Sequence, residues 1–179
     1  MSRPVVLVGL RCAGKSSVGR RLAIELGLSF VDLDDELAAA EGSGRAAGEL
    51  LAELGEDAFR ELEARSLADC TSRGALVLAT GGGVVEREDN LSLLRERARV
   101  VWLDALDEVL LARRAADDTV RPLLEGSEDP AQELAALGPR RRSIYRSLVE
   151  VPVDTTLAEV AAITREVAEG LRNEIGSGD

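Results

Sequence analysis

Residues 9–16 read Gly-Leu-Arg-Cys-Ala-Gly-Lys-Ser, and this stretch decides the fold. It matches G-x-x-x-x-G-K-[ST], a pattern that average amino-acid usage would produce by chance in roughly one chain in a hundred of this size. The apolar run Val5–Val8 precedes it, and a helical repeat at Val18, Leu22 and Leu26 follows it. Because a phosphate-binding loop joins a buried strand to a helix, this context supports the motif over a simple glycine turn.

The loop predicts how a nucleoside triphosphate would be held. Backbone N–H groups and the helix N-terminus bind phosphates, the Lys15 ammonium reaches the β- and γ-oxygens, and the Ser16 hydroxyl ligates Mg²⁺. Lys15 is also the one lysine among 22 basic residues. GTPase switches are excluded, because the chain contains neither N-K-x-D nor D-x-x-G. The candidate ATP-binding residues of the loop are Gly9, Arg11, Cys12, Ala13, Gly14, Lys15, Ser16 and Ser17.

The composition excludes several other kinds of chemistry. The 179 residues include no histidine, which excludes Ser-His-Asp and Cys-His catalysis and a His-ligated zinc. Two cysteines are too few for a zinc ribbon or a disulfide framework. A net charge of -11 and an aromatic content of 2% argue against a nucleic-acid partner. With no run long enough to span a membrane and no signal peptide, we expect a cytoplasmic, monomeric protein that contacts no membrane.

Short apolar runs alternate with helical patterns, which predicts a single α/β domain over residues 1–179. The runs lack the alternation of half-exposed strands, so we expect a three-layer fold with a five-stranded parallel sheet covered on both faces. We expect the helix after the last strand to begin directly at Thr156. The predicted strands are Val5–Val8, Ser29–Asp32, Ala75–Ala79, Arg99–Leu103 and Val149–Val153.

Two stretches interrupt this alternation. Residues 33–61, approximately, read as a helical insert with short pieces around Gly42, Ser43 and Gly44. The polar stretch after Ala115 contains two prolines and predicts a mobile lid at about residues 115–124.

The second predicted strand ends in two carboxylates, in the run Phe30-Val31-Asp32-Leu33-Asp34. Residues i and i+2 of a strand share a side, and α/β ligands bind at the carboxyl end of the sheet. One carboxylate could hold magnesium through water while the other orients and deprotonates an acceptor hydroxyl. Two alternatives stay open: Asp34 could instead cap a helix, and Asp104, at the end of the fourth strand, could be the metal ligand.

The motifs in their order resemble the shikimate kinase family of nucleoside-monophosphate-kinase-like P-loop enzymes. The match runs from Val5 to about Asp154. The stretches that carry it are GLRCAGKSSVGRRLA, FVDLDDEL, GEDAFRELE, LATGGGVV, TVRPLL and RRRSIY.

The resemblance implies phosphorylation of the 3-hydroxyl of shikimate by ATP with Mg²⁺. It assigns the metal to Ser16 and Asp32, and the base to Asp34. It places Arg114 against adenine and Arg121, in the lid, at the transferring phosphoryl group, so that Lys15, Asp34 and Arg121 are the catalytic candidates. The acceptor would be bound by Asp34, Arg60, Gly81, Gly82, Gly83 and Arg141.

The residues alone permit less specific interpretations. Arg60 could be a solvated helix residue, residues 140–142 a surface charge run, and the three glycines a bulge or turn. The choice between Arg141 and Arg142 depends on the spacing to Tyr145.

The chain also departs from the family at Cys12, where glycine is usual. This cysteine could be a low-pKa thiol or a small loop filler.

Three functions therefore compete on the sequence. They are a shikimate kinase, a related kinase acting on gluconate or a nucleoside monophosphate, and a nucleotide-binding module without catalysis. The arginines at positions 60 and 141 favour a carboxylate acceptor.

Overall fold

Five parallel strands form the centre of the molecule in the order β2-β3-β1-β4-β5. The computed structural model describes residues 3–41, 45–117, 123, 126–149 and 152–176. The strands are β1 Val5–Val8, β2 Ser29–Asp32, β3 Leu76–Ala79, β4 Arg99–Asp104 and β5 Val153–Asp154.

Within those ranges, eight α-helices and one short 3₁₀ turn connect and cover the strands. No helix in the described part of the chain is both long and apolar enough to cross a membrane. The helices are α1 Lys15–Leu26, α2 Leu33–Ala40, α3 Ala47–Leu54, α4 Glu56–Ser72, α5 Glu88–Arg97, α6 Asp107–Ala115, α7 Pro130–Leu148 and α8 Val160–Gly176, and the turn is Val84–Glu86.

The central strands are covered on both faces. Every residue of β1 and β3 is buried, including neighbours whose side chains point to opposite faces. At the side of β4, the Trp102 ring lies 5.9 Å from that of Tyr145, on α7. The α/β class and the parallel sheet predicted from the sequence are therefore confirmed.

The last strand and the last helix differ from their predictions. Val149 does not begin a strand, because its N–H continues the helical ladder onto the Tyr145 carbonyl. The fifth strand is the pair Val153–Asp154, alongside Leu103 and Asp104. The following helix does not begin at Thr156 but at Val160, since a loop intervenes in which Asp154 accepts the Thr156 N–H at 2.8 Å.

Three helices, α2, α3 and the start of α4, occupy the predicted insert. They bury a small apolar cluster of their own around Leu37, Leu50 and Phe59. The predicted pieces around residues 42–44 lie outside the described residues, as does most of the predicted lid. Both features therefore remain predictions.

Candidate active site

The phosphate-binding loop closes around a buried lysine. Lys15 is 8% exposed, and its ammonium donates to the carbonyls of Gly9 at 2.8 Å and Leu10 at 2.7 Å. Gly9 has φ 145° and its Cα faces the Leu103 carbonyl so closely that any Cβ would overlap it. Gly14 has φ 92° at the N-cap of α1. These two positions require glycine, and they aim the helix N-terminus into the loop.

Cys12 adopts a backbone conformation that usually selects glycine. Its φ of 64° is the one positive value at a non-glycine position among the described residues, which costs about 1 kcal/mol. Burial raises the pKa of its thiol, and the nearby Asp117 raises it further, outweighing Lys15 and two arginines. The direction of this shift opposes the hypothesis of a low-pKa thiol and favours a small loop filler.

One carboxylate joins the loop to the insert. Ser16 Oγ donates to Asp32 Oδ2 at 2.6 Å, while Asp32 Oδ1 accepts the Asp34 N–H at 3.2 Å and caps α2. Asp32, not Asp34, is thus the helix cap. Strand β2 ends at Asp32, so the expected i, i+2 strand pairing is wrong, although both side chains line the same cleft.

The rival carboxylate, Asp104, is engaged elsewhere. Its oxygens accept from Arg142 Nε at 2.7 Å and from Arg142 Nη2 at 3.2 Å, and it does not line the cleft of the phosphate loop. This contact also separates the consecutive arginines, because Arg142 faces Asp104 while Arg141 faces the glycines.

Both predicted acceptor arginines lie against the glycine loop, residues 81–83, that follows β3. A Cβ built on Gly83 would lie 2.6 Å from Arg60 Cζ, and one built on Gly82 would lie 3.6 Å from Arg141 Nη1. Arg60 also donates to Glu63 at 2.9 Å. Helices α4 and α7 therefore each place one guanidinium group at this loop.

Two carboxylates lie close to Gly81, the first glycine of the same loop. A Cβ on Gly81 would lie 3.0 Å from Glu63 Oε1 and 3.6 Å from Asp34 Oδ1. Glu63 is 1% exposed, and burial raises the pKa of its carboxyl although Arg60 opposes the shift. Tyr145 donates its hydroxyl to the Gly82 carbonyl at 2.6 Å and so fixes the loop from below.

The two consecutive arginines at the end of α6 point in different directions. Arg113 Nη1 donates to the Cys12 carbonyl at 3.4 Å, and Arg113 Nη2 donates to the Thr155 carbonyl at 2.5 Å. Arg114 instead donates to Glu133 at 2.6 Å, outside the cleft of the phosphate loop. Arg121 lies outside the described residues, so its predicted role has no structural test.

One cleft of about 420 Å³ is lined by the phosphate loop, Asp32, Asp34, Gly81, Gly82 and Arg113, whereas Arg60 and Arg141 do not line it. The phosphate loop forms one end, Asp32 and Asp34 lie in the middle, and the glycine loop forms the other end. The arrangement can hold a polyphosphate beside a small hydroxylated anion with a carboxylate between them.

Known proteins are similar to this chain in sequence and in fold. The shikimate kinase family model matches residues 11–172. The shikimate kinase of Moorella thermoacetica is 42% identical over 168 residues, which cover 94% of this chain and 94% of that protein. The shikimate kinase of Caulobacter vibrioides is 46% identical over 154 residues, covering 86% and 74%.

This chain belongs to the shikimate kinase family. A solved structure of the shikimate kinase from Acinetobacter baumannii in complex with shikimate superposes with a TM-score of 0.83 at 36% identity, covering 99% of this chain and 94% of that one. The family resemblance stated from the motifs is thereby confirmed. The chain is a phosphotransferase that uses ATP.

Sequence reasoning missed three residues of this site. Glu63 stands three positions after Arg60 on one helix, and that spacing could have indicated the pair. Glu86 accepts from Arg141 at 2.7 Å across 55 positions of chain, which no local pattern signals. Arg113 was passed over because neighbouring arginines on a helix look alike in sequence.

Proposed function

We propose that this chain transfers the γ-phosphoryl group of ATP to the 3-hydroxyl of shikimate, giving shikimate 3-phosphate and ADP. The observation that carries the proposal is the convergence of Asp34, Arg60 and Arg141 on the glycines at positions 81–83, of which Gly81 and Gly82 line the same cleft as Lys15. Family membership and the shikimate held by the Acinetobacter baumannii relative support this acceptor.

At the nucleotide end, the loop from Gly9 to Ser17 would bind the phosphates through its N–H groups. The Lys15 ammonium would exchange its contacts with two loop carbonyls for the β- and γ-oxygens. Arg113 lines this cleft, so we place it rather than Arg114 on the side of the base and ribose. Arg121 would reach the transferring group from a lid at about residues 115–124.

The residues present fit Mg²⁺. Ser16 Oγ and Asp32 Oδ2 are 2.6 Å apart beside the loop, and both are the oxygen donors that this hard cation prefers. Ser16 and Asp32 would hold it. When bound, the ion neutralises charge on the β- and γ-phosphate oxygens.

At the acceptor end, Arg60 and Arg141 would bind the carboxylate of shikimate. Arginine suits this role because its planar fork matches a carboxylate in bidentate fashion. Both side chains are nearly buried, and each is balanced by a glutamate, Glu63 or Glu86. The pocket thus keeps its two guanidinium groups oriented before the acceptor arrives.

Asp34 would act as the base. The 3-hydroxyl oxygen forms a bond to the γ-phosphorus while the bond from that phosphorus to the β–γ bridging oxygen breaks, and the hydroxyl proton passes to Asp34. Lys15 stabilises the charge on the phosphoryl oxygens during the transfer. No imidazole is needed, which agrees with a chain that contains no histidine.

We also propose that the protein works as a cytoplasmic monomer, with residues 1–179 forming one domain and residues 33–61, approximately, serving as the acceptor-binding insert. The separate apolar cluster of α2, α3 and α4 supports an insert with a small core of its own. Light scattering during size-exclusion chromatography tests the monomer.

A coupled ADP-release assay tests the function. We expect turnover with Mg-ATP and shikimate, and little with quinate, gluconate or nucleoside monophosphates. Arg60→Met should raise KM for shikimate at least tenfold. Arg65→Met is the matched control, because Arg65 lies on the same helix with an exposed partner, Glu61, at 3.2 Å. A well-folded protein without shikimate-stimulated ADP release would refute the proposal.

A further inference from the structure

Glu86 is a nearly buried carboxylate that the proposed reaction does not use. It ends the 3₁₀ turn Val84–Glu86 and is 16% exposed. The turn is fixed next to the glycine loop, since the Glu86 N–H donates to the Gly83 carbonyl at 3.0 Å and Asn90 donates to the Val84 carbonyl at 2.7 Å. Glu86 therefore has a defined position relative to the glycines.

The carboxylate binds two arginines of α7 in different surroundings. Its Oε1 accepts from Arg141 Nε at 2.7 Å, and its Oε2 accepts from Arg140 Nη2 at 2.7 Å. Arg141 is 7% exposed, whereas Arg140 is 55% exposed. Exposed ion pairs contribute little to stability. The contact with Arg141 is accordingly the one that can affect the site.

The Arg141 atom that Glu86 binds determines which N–H donors remain for a ligand. A guanidinium group has one N–H on Nε and four on its two Nη atoms. Glu86 uses the Nε donor, and Nη1 lies 3.6 Å from the position of a Cβ built on Gly82, a residue that lines the cleft. The Nη end, which can form two parallel bonds to a carboxylate, is thus directed to the acceptor side.

We propose that Glu86 is a positioning residue for the acceptor carboxylate: it fixes Arg141 so that the Nη end faces the glycine loop. The inference rests on the proposed function, since it gives Arg141 the carboxylate of shikimate as its ligand. Without Glu86, the Arg141 side chain would rotate among several orientations, and the acceptor would have to select the competent one.

The test compares two acceptors and three variants. The acceptors are shikimate and its analogue in which a hydroxymethyl group replaces the carboxylate. Glu86→Ala should raise KM for shikimate about tenfold, as expected for losing one charge-assisted hydrogen bond, while kcat and KM for ATP change less than about twofold. KM for the analogue should hardly change. Glu86→Gln keeps an acceptor for Nε and should restore most of the affinity.

Arg140→Met is the matched control, because it removes the exposed half of the same ion-pair network. It should leave KM for both acceptors unchanged. Calorimetric titration with shikimate supplies a second readout that needs no turnover.

The outcomes separate this inference from a structural role and from the proposed function. An equal loss for both acceptors, an unchanged KM in Glu86→Ala, or a tighter binding of shikimate would each overturn the inference. Wild-type protein that binds and phosphorylates no shikimate would refute the function itself.

Discussion

A substitution in the glycine loop can perturb the proposed acceptor site without removing any side-chain atom. Gly83 has φ -94° and ψ 0°, a conformation that alanine also adopts. The added methyl group would lie 2.6 Å from Arg60 Cζ, well inside ordinary contact. Arg60 is a flexible side chain, so Gly83→Ala should displace the guanidinium group rather than unfold the loop.

The expected size of the effect follows from that displacement. The guanidinium must move by about 1 Å, and a shift of this size at a binding group costs up to about a hundredfold. Losing one hydrogen bond to a charged ligand costs about 1.5–3 kcal/mol, or at least tenfold in affinity. We therefore expect KM for shikimate to rise tenfold to a hundredfold. KM for ATP should stay within about twofold, because Arg60 does not line the cleft of the phosphate loop.

Stability should change much less than acceptor binding. Moving Arg60 strains its 2.9 Å bond to Glu63, but replacing glycine restricts the unfolded chain and offsets part of that loss. The free energy of unfolding should remain within about 1 kcal/mol of wild type. Urea unfolding and steady-state kinetics with each substrate varied in turn measure the two effects.

Gly170→Ala is the control. Gly170 lies in α8 with no atom near the position of its Cβ, so the change should stabilise the helix by about 0.5–1 kcal/mol and leave both KM values unaltered. The reasoning fails if Gly83→Ala keeps KM for shikimate within twofold of wild type while the protein stays folded. In that case Arg60 would not contact the acceptor.

Four further changes have defined outcomes. Asp34→Asn should lower kcat at least a hundredfold with unchanged ATP affinity in calorimetry, as expected for a lost base. Tyr145→Phe leaves the Gly82 carbonyl without its 2.6 Å donor, and should lower the melting temperature by about 3–6 °C and raise KM for shikimate severalfold. Cys12→Gly should raise the free energy of unfolding by about 1 kcal/mol in urea, because the left-handed backbone costs glycine little. Burial raises the pKa of the Glu86 carboxyl, but the bonds from Arg140 and Arg141 lower it overall. The contribution of Glu86 to the free energy of unfolding is therefore present above about pH 4.5 and lost as pH falls through the pKa of the folded protein. The stability difference between wild type and Glu86→Gln should shrink over the same pH range.

The fold was predictable where hydrophobic burial alone decides it. Strands β1 and β3 lie in predicted apolar runs because every one of their residues is buried. The runs also located β2, at the edge of the sheet, and the partly buried β4. The fifth strand was misplaced because Val149 and Val153 are equally apolar, and only the continuing helix bond from Val149 to the Tyr145 carbonyl separates them. When the end of a helix and the start of a strand are equally hydrophobic, hydrophobicity alone does not distinguish them.

The site was predictable where spacing along one element fixes a side chain. The phosphate loop belongs to this class. Asp32 and Asp34 do not, because β2 ends at Asp32 and the two side chains reach the cleft from different elements. Contacts between different elements could not be predicted in this way. Glu86 meets Arg141 only because the turn after the glycines packs on α7. Likewise, Arg113 and Arg114 differ only in direction, about 100° apart around the helix. Which one faces the cleft depends on where α6 lies against the phosphate loop.

The burial of Lys15 has a practical consequence for labelling. An amine-directed acylating reagent finds one side-chain target in this chain, apart from the α-amino group. That target is folded against two carbonyl oxygens, so it should react slowly and at a rate set by how often the loop releases it. The rate of acylation, followed by mass spectrometry, would therefore report the opening of the nucleotide loop without any engineered probe.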